Sequence, residues 1–182
     1  ATTGAISMTT TENIVVSGAG SITTADGDIT LSANATGTAT GDFTGIVVDG
    51  ATIQSTGSGA ISLTGRGGDG FANQIGVNVI NGGKVLGGTA AVTVTGTGGA
   101  GTGHDQNGVR VSSPGAQITS NGGDVTVTGQ GGGTGSSSNN YGVVLFNGGL
   151  ISAGGSGAVA VTGTGGAGTG TGQVGVLVNL NA

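Results

Sequence analysis

The chain has 182 residues, 46 of them glycine, a single proline, no cysteine, and a formal net charge of −5 from eight acids against three cations. Charged residues make up 6% and aromatics 2%, which excludes the basic stripe that a phosphate backbone requires and any thiolate or disulfide framework. No apolar run reaches the roughly 18 residues of a membrane helix, and no charged-plus-apolar leader opens the chain, so neither membrane insertion nor a retained signal is expected.

Residues 1–17 read as a partial, shortened turn of a repeat. Ile6 and Met8 begin it, Ile14 and Val16 follow, and only Thr9 to Asn13 separate them. Five complete units fill residues 18–182. Their first apolar column is Ile22, Ile53, Val85, Ile118 and Ile151, at steps of 31, 32, 33 and 33 residues. The second is the set of pairs Ile29/Leu31, Ile61/Leu63, Val92/Val94, Val125/Val127 and Val159/Val161. The third opens on glycine each time: Gly45, Gly76, Gly108, Gly142 and Gly175, leading into residues such as Val111, Leu145 and Val178.

A period of this length indicates stacked repeats. Collagen would need glycine at every third position, and a disordered linker would lack periodicity. The alternation at period 2 and the Val/Thr richness indicate half-buried strands. The expected fold is therefore all-β: a parallel β-helix over residues 1–182, with three short strands per coil of about 31–33 residues, five full coils and one partial N-terminal coil. Its inward ladders comprise Ile53, Val85, Ile118 and Ile151; Val94, Val127 and Val161; and Val111, Leu145 and Val178. One coil buries too few aliphatic side chains to offset the ordering of its backbone, so coils must stack to fold.

Corners carry turn chemistry. After the third strand come Asp49-Gly50, Asn81-Gly82, Asn147-Gly148 and Asn181-Ala182, with Ser113-Pro114-Gly115 in one unit. Asn, Asp and Gly tolerate the left-handed conformation and can bond the backbone, so a partial polar ladder along the axis is expected there. Small residues at Ala51, Gly83, Ala116 and Gly149 predict a taper at the start of the first strand. The long connection between second and third strands reads GRGGDGFANQ, GTGGAGTGHDQN, GQGGGTGSSSNN and GTGGAGTGTGQ in successive units. It is read two ways: as a partner-bearing flank or as a set of mobile loops.

Four patterns could carry chemistry. Asp28 and Asp124 share a column, but three rungs of roughly 4.8 Å place them about 14 Å apart, too far for paired acid catalysis. His104-Asp105 has no GxSxG elbow beside it and reads as a solvated pair. Gly67-Gly68-Asp69-Gly70-Phe71 holds the residues of a calcium-solenoid motif in the wrong order, once only. Asn34-Ala35-Thr36 is a single glycosylation sequon in a Thr-rich chain. No active site, metal or cofactor is expected.

The outward face of the second strand presents two hydroxyl columns: Thr30/Ser32, Ser62/Thr64, Thr93/Thr95, Thr126/Thr128 and Ala160/Thr162. This T-x-T array resembles that of ice-binding solenoids, so an ice- or glycan-binding module is the alternative function. Thr also simply favours an exposed strand position.

The segments GAISLTGRGG, GGDVTVTGQGG, GAVAVTGTGGAGTG, YGVVLFNGG and QVGVLVNLNA resemble the β-strand repeats of filamentous-haemagglutinin-like exoproteins and autotransporter passengers of bacterial surfaces. Over residues 18–182 the resemblance is one of pattern and composition. It implies a right-handed β-helix, export to the cell surface or medium, and work as a fibre, stalk, filament subunit or adhesin. Expected partners are further coils of the same kind, joined head to tail or by chain continuation, and a surface glycan or cell receptor.

Overall fold

The computed structural model describes residues 4–179, so the expected corner at Asn181-Ala182 lies outside the described residues. The first, short turn supplies β1 (Ile6–Thr10) and β2 (Ile14–Ser17). The next coil holds β3 (Ser21–Thr24), β4 (Ile29–Ala33) and β5 (Ile46–Asp49), and the one after it β6 (Thr52–Ser55), β7 (Ile61–Arg66) and β8 (Val77–Ile80). Then follow β9 (Lys84–Gly87), β10 (Val92–Thr97) and β11 (Val109–Ser112), and β12 (Gln117–Ser120), β13 (Val125–Gln130) and β14 (Val143–Phe146). The last coil has β15 (Leu150–Ser152), β16 (Val159–Thr164) and β17 (Val176–Asn179).

Equivalent strands stack into three parallel sheets: β3-β6-β9-β12-β15 (sheet I), β1-β4-β7-β10-β13-β16 (sheet II) and β2-β5-β8-β11-β14-β17 (sheet III). The chain is thus a β-solenoid of about five turns with three strands per coil. The register follows the apolar columns: Ile53 pairs with Val85 and Ile118 with both Val85 and Ile151. In sheet II, Val92, Val125 and Val159 lie side by side. Ile6 pairs with Ile29, so the first turn is shorter than the rest but keeps the same register.

The core is a narrow aliphatic column. Ile29, Leu31, Ile46, Ile53, Leu63, Val85, Val94, Val111, Ile118 and Val127 are fully buried. Leu145, Ile151 and Val161 pack against this column while only partly buried, and Val159, Val176 and Val178 of the last coil are exposed. The inward alternation is the same in every coil; what changes is whether another rung lies above.

Glycines inside sheet II set the thickness at one corner. Gly65, Gly96, Gly129 and Gly163 face the carbonyls of Gly76, Gly108, Gly142 and Gly175, the residues that open sheet III, and a Cβ on any of the four would come within 3.0 Å of that carbonyl oxygen. Two backbones therefore meet with no side chain between them, which only glycine allows. A matching taper occurs at sheet I, where Ala51 and Ala116 are buried and a Cβ on Gly83 or Gly149 would collide with the carbonyls of Val48 or Val111.

The corner between sheets III and I carries the expected partial ladder. Asn81 and Ser113 take positive φ, 52° and 92°. Asn81 Nδ2 donates to Asp49 Oδ1 at 2.8 Å, and the Asn81 amide donates to Ser113 Oγ at 2.5 Å. Side chains of three successive coils are thereby linked along the axis.

Candidate functional site: the hydroxyl face and the stacked loops

Sheet II places its outward residues in straight columns. Ser7, Thr30, Ser62, Thr93, Thr126 and Ala160 form one; Thr9, Ser32, Thr64, Thr95, Thr128 and Thr162 form the next. Every hydroxyl predicted from the alternation lies in these columns, half-buried or exposed. Ser7 and Thr9 extend them by one rung into the short first turn. A third column runs beside them, Arg66, Thr97, Gln130 and Thr164. The spacing within each column is that of parallel strands, roughly 4.8 Å.

The glycine-rich connections form a further stacked layer. Ala100 N–H bonds Gly68 O at 3.1 Å, Gly133 N–H bonds Gly99 O at 2.7 Å, and Thr169 N–H bonds Gly135 O at 2.8 Å. Asn73 N–H reaches His104 O at 3.0 Å, and His104 forms a parallel bridge with Ser138. Backbone bonding thus carries the coil-to-coil pairing across the connections that the sequence also allowed to be mobile.

Inside that layer lies an amide ladder with no counterpart in the sequence reading. Gln74, Gln106 and Asn140 are fully buried although polar. Each side-chain carbonyl accepts the backbone N–H of the preceding coil: Gln74 Oε1 from Phe43 at 2.7 Å, Gln106 Oε1 from Gln74 at 3.1 Å, and Asn140 Oδ1 from Gln106 at 3.0 Å. Gln173 Oε1 extends the stack by accepting Asn140 Nδ2 at 3.1 Å. The Nε2 groups of Gln106 and Gln173 donate to Phe71 O and Ser137 O, both at 2.8 Å, and Gln74 Nε2 donates to Ala72 O at 2.6 Å and to Asp42 Oδ1. No buried side-chain N or O among the described residues lacks a partner. The available signal was positional: Gln or Asn stands two residues before the third-column glycine at Gly76, Gly108, Gly142 and Gly175.

The acids act as acceptors for neighbouring amides. Asp28 Oδ1 takes the Ala60 N–H and Asp124 Oδ1 the Ala158 N–H, each at 2.8 Å in the following coil, while Asp26 Oδ1 takes the N–H and hydroxyl of Ser58. Asp69 Oδ1 accepts the Gly41 N–H at 2.6 Å. Among the described residues no three His, Asp or Glu side chains gather as metal ligands would. Asn34 of the sequon is buried, its amide donating to Gly67 O at 3.3 Å and its carbonyl accepting the Ala39 N–H at 3.2 Å. The folded coil therefore withholds the nitrogen to which a glycan would be attached.

His104 Nδ1 donates to Asp105 Oδ2 at 2.7 Å, and both side chains are partly exposed. The imidazole meets the exposed Phe71 ring edge-on at a centroid distance of 6.5 Å. Asp105 also acts at a distance on two neighbours. Arg110, whose Nε donates to Asn78 Oδ1 at 3.0 Å, has its pKa lowered by burial against the opposing pull of the Asp105 charge. Tyr141 has its pKa raised, by burial first and by the Asp105 charge second.

A shallow depression of about 320 Å³ opens where the third outward column meets the loop layer, lined by Arg66, Thr97, Gln130 and residues 98–100 and 131–134. A smaller one of about 190 Å³ lies near Thr9, Thr10, Ser32 and Thr36. Comparison with protein-family models, with curated proteins and with solved structures gave no match.

Proposed function

We propose that the chain is a structural rod, an extracellular β-solenoid serving as a fibre, stalk or filament subunit of a bacterial surface or secreted assembly, with its outward columns available for adhesion and no catalytic role. The observation that carries this reading is the unbroken register of all three sheets, reinforced by side-chain ladders at two further places in the cross-section. Such a body transmits its order along one axis and presents nearly the same surface at every rung, which suits a spacer or display scaffold. The acids lend themselves to this purpose, since Asp26, Asp28 and Asp124 are each taken up in holding the next coil.

In this reading the exposed inward valines, Val159, Val176 and Val178, are covered in the assembly by another rung, either of the same polypeptide or of a second copy stacked head to tail. Strand edges favour such pairing. Electron microscopy of the purified chain at neutral pH tests it. Five to six rungs at roughly 4.8 Å predict fibres with a subunit rise of about 24–29 Å if copies stack. Dispersed short rods would remove head-to-tail stacking and leave chain continuation; compact particles without an axial repeat would overturn the rod itself.

A further inference from the structure

Arg66 stands apart from the other two cations. Arg110 is bonded to Asn78, and Lys84 is an exposed residue on sheet I. The Arg66 side chain has no hydrogen-bond or ion-pair partner among the described residues, and its guanidinium rests against Gly37, where an added Cβ would sit 2.7 Å from Cζ. It lines one end of the 320 Å³ depression, in which no carboxylate takes part. The chain as a whole carries −5, and Arg66 is one of three Lys and Arg residues against eight acids.

The rest of the lining is uncharged and of two kinds. Thr97 and Gln130 follow Arg66 in one column, and two rungs separate the guanidinium's strand from the Gln130 strand, roughly 10 Å at parallel-strand spacing. Beside them runs a flat ledge of glycine backbone around Gly99 and Gly132, whose N–H groups are already bonded to Gln74 and Gln106 carbonyls. Gln130 Nε2 already donates to Gly131 O at 3.0 Å and to Gly165 O at 3.1 Å, so what remains to meet a ligand is the Arg66 side chain at one end, the Thr97 hydroxyl and Gln130 Oε1 along one side, and Cα–H surface beneath. The volume is at the lower end of that of small-molecule sites.

We propose that this depression binds an acidic saccharide, a hexuronate unit of a carboxylated glycan chain. A guanidinium holds a carboxylate through paired N–H donors, a geometry that a lysine does not reproduce. The Thr97 hydroxyl can donate to or accept from a sugar hydroxyl, Gln130 Oε1 can accept from one, and the glycine ledge accepts the apolar C–H face of a pyranose ring. Adjacent hydroxyls at Thr64, Thr95 and Thr128 give neighbouring residues of the glycan further contacts. This assignment stands apart from the rod reading, because a monomeric coil stack has the whole site.

The test is calorimetric titration of the chain with trigalacturonate, with its fully methyl-esterified form and with sodium acetate. Saturable binding of the acid trisaccharide is expected, weakened about tenfold or more in Arg66→Gln, which corresponds to losing one charge-assisted contact. Arg66→Lys is expected to fall between, and Lys84→Gln to bind as the parent does. Unchanged melting of Arg66→Gln, expected because Arg66 has no side-chain partner to lose, ties a loss of binding to the site. Equal binding by Arg66→Gln, an equal loss in Lys84→Gln, equal affinity for the ester or for acetate, or no saturation up to about 10 mM would each overturn the proposal. The fibre result has no bearing on any of these outcomes.

Discussion

Replacing Gln106 with Met keeps an unbranched side chain of similar length in a fully buried place while removing both of its polar contacts. The Gln74 N–H then loses its acceptor, Gln106 Oε1 at 3.1 Å, and has no second acceptor among the described residues. The Phe71 carbonyl loses Gln106 Nε2 but keeps the Gly103 N–H at 2.7 Å. A stranded buried donor costs about 1–3 kcal/mol, and loss of one bond from a still-satisfied carbonyl costs about 0.5–1.5 kcal/mol, so the change should destabilise the chain by about 1.5–4.5 kcal/mol. Against a typical total of roughly 5–15 kcal/mol that is a large loss from one amide in a loop. Urea unfolding followed by circular dichroism reads the global effect, and native-state hydrogen exchange at Gln74 reads the local one. Coils can unfold separately, so the exchange measurement decides where the transition is not two-state. A loss below about 0.5 kcal/mol, the range of ordinary surface substitutions, together with unchanged protection of the Gln74 amide, would refute the ladder's structural role.

Gly129→Ala should also destabilise the chain, because its Cβ would meet the Gly142 carbonyl and Val143 Cγ2 and the paired strands on either side prevent retreat; overpacking of this kind typically costs about 1–3 kcal/mol, seen as a lower melting temperature, and unchanged melting would disprove the close approach. Tyr141, the chain's single tyrosine, should titrate above the ordinary phenol value of 10.0, as read by phenolate absorbance. Its folded-state pKa is raised, so its contribution to stability is whole below the unfolded value and is lost as pH rises through the folded one. Tyr141→Phe should therefore lose less stability than the parent in the alkaline range, and a phenolate midpoint at or below that of free tyrosine would contradict the burial and the Asp105 influence.

The strands and their register were legible because alternation and period act together. Ile53, Val85 and Ile118 are adjacent in one column on paper and adjacent in sheet I, since parallel stacking converts sequence period directly into spatial neighbourhood. The hydroxyl columns follow from the same alternation, read from the opposite face. The amide ladder was not legible by that route. Gln74 and Gln106 sit in glycine-rich polar stretches, where hydropathy reads them as solvated, and their burial depends on the loops themselves pairing. Likewise the sequence shows glycine at Gly96 and Gly108 in the same places of each unit, but not that the two face each other. That contact joins different sheets, and no period links residues across a corner. The depression at Arg66 arises in the same way, where a strand column and a loop ledge adjoin.

All the strand pairs are parallel and in register, so the backbone bonds between coils point along the rod. Tension applied to the two termini therefore does not shear many bonds at once; it opens the outermost strands bond by bond, as a peeling front that advances one turn at a time. Each released turn of some 32 residues would extend by roughly 110 Å at the 3.3–3.6 Å per residue of a stretched chain, while shortening the remaining rod by about 4.8 Å. The amide and carboxylate side chains that reach into the next coil would hold that front at every turn, giving a sawtooth of small, evenly spaced steps in place of a single rupture.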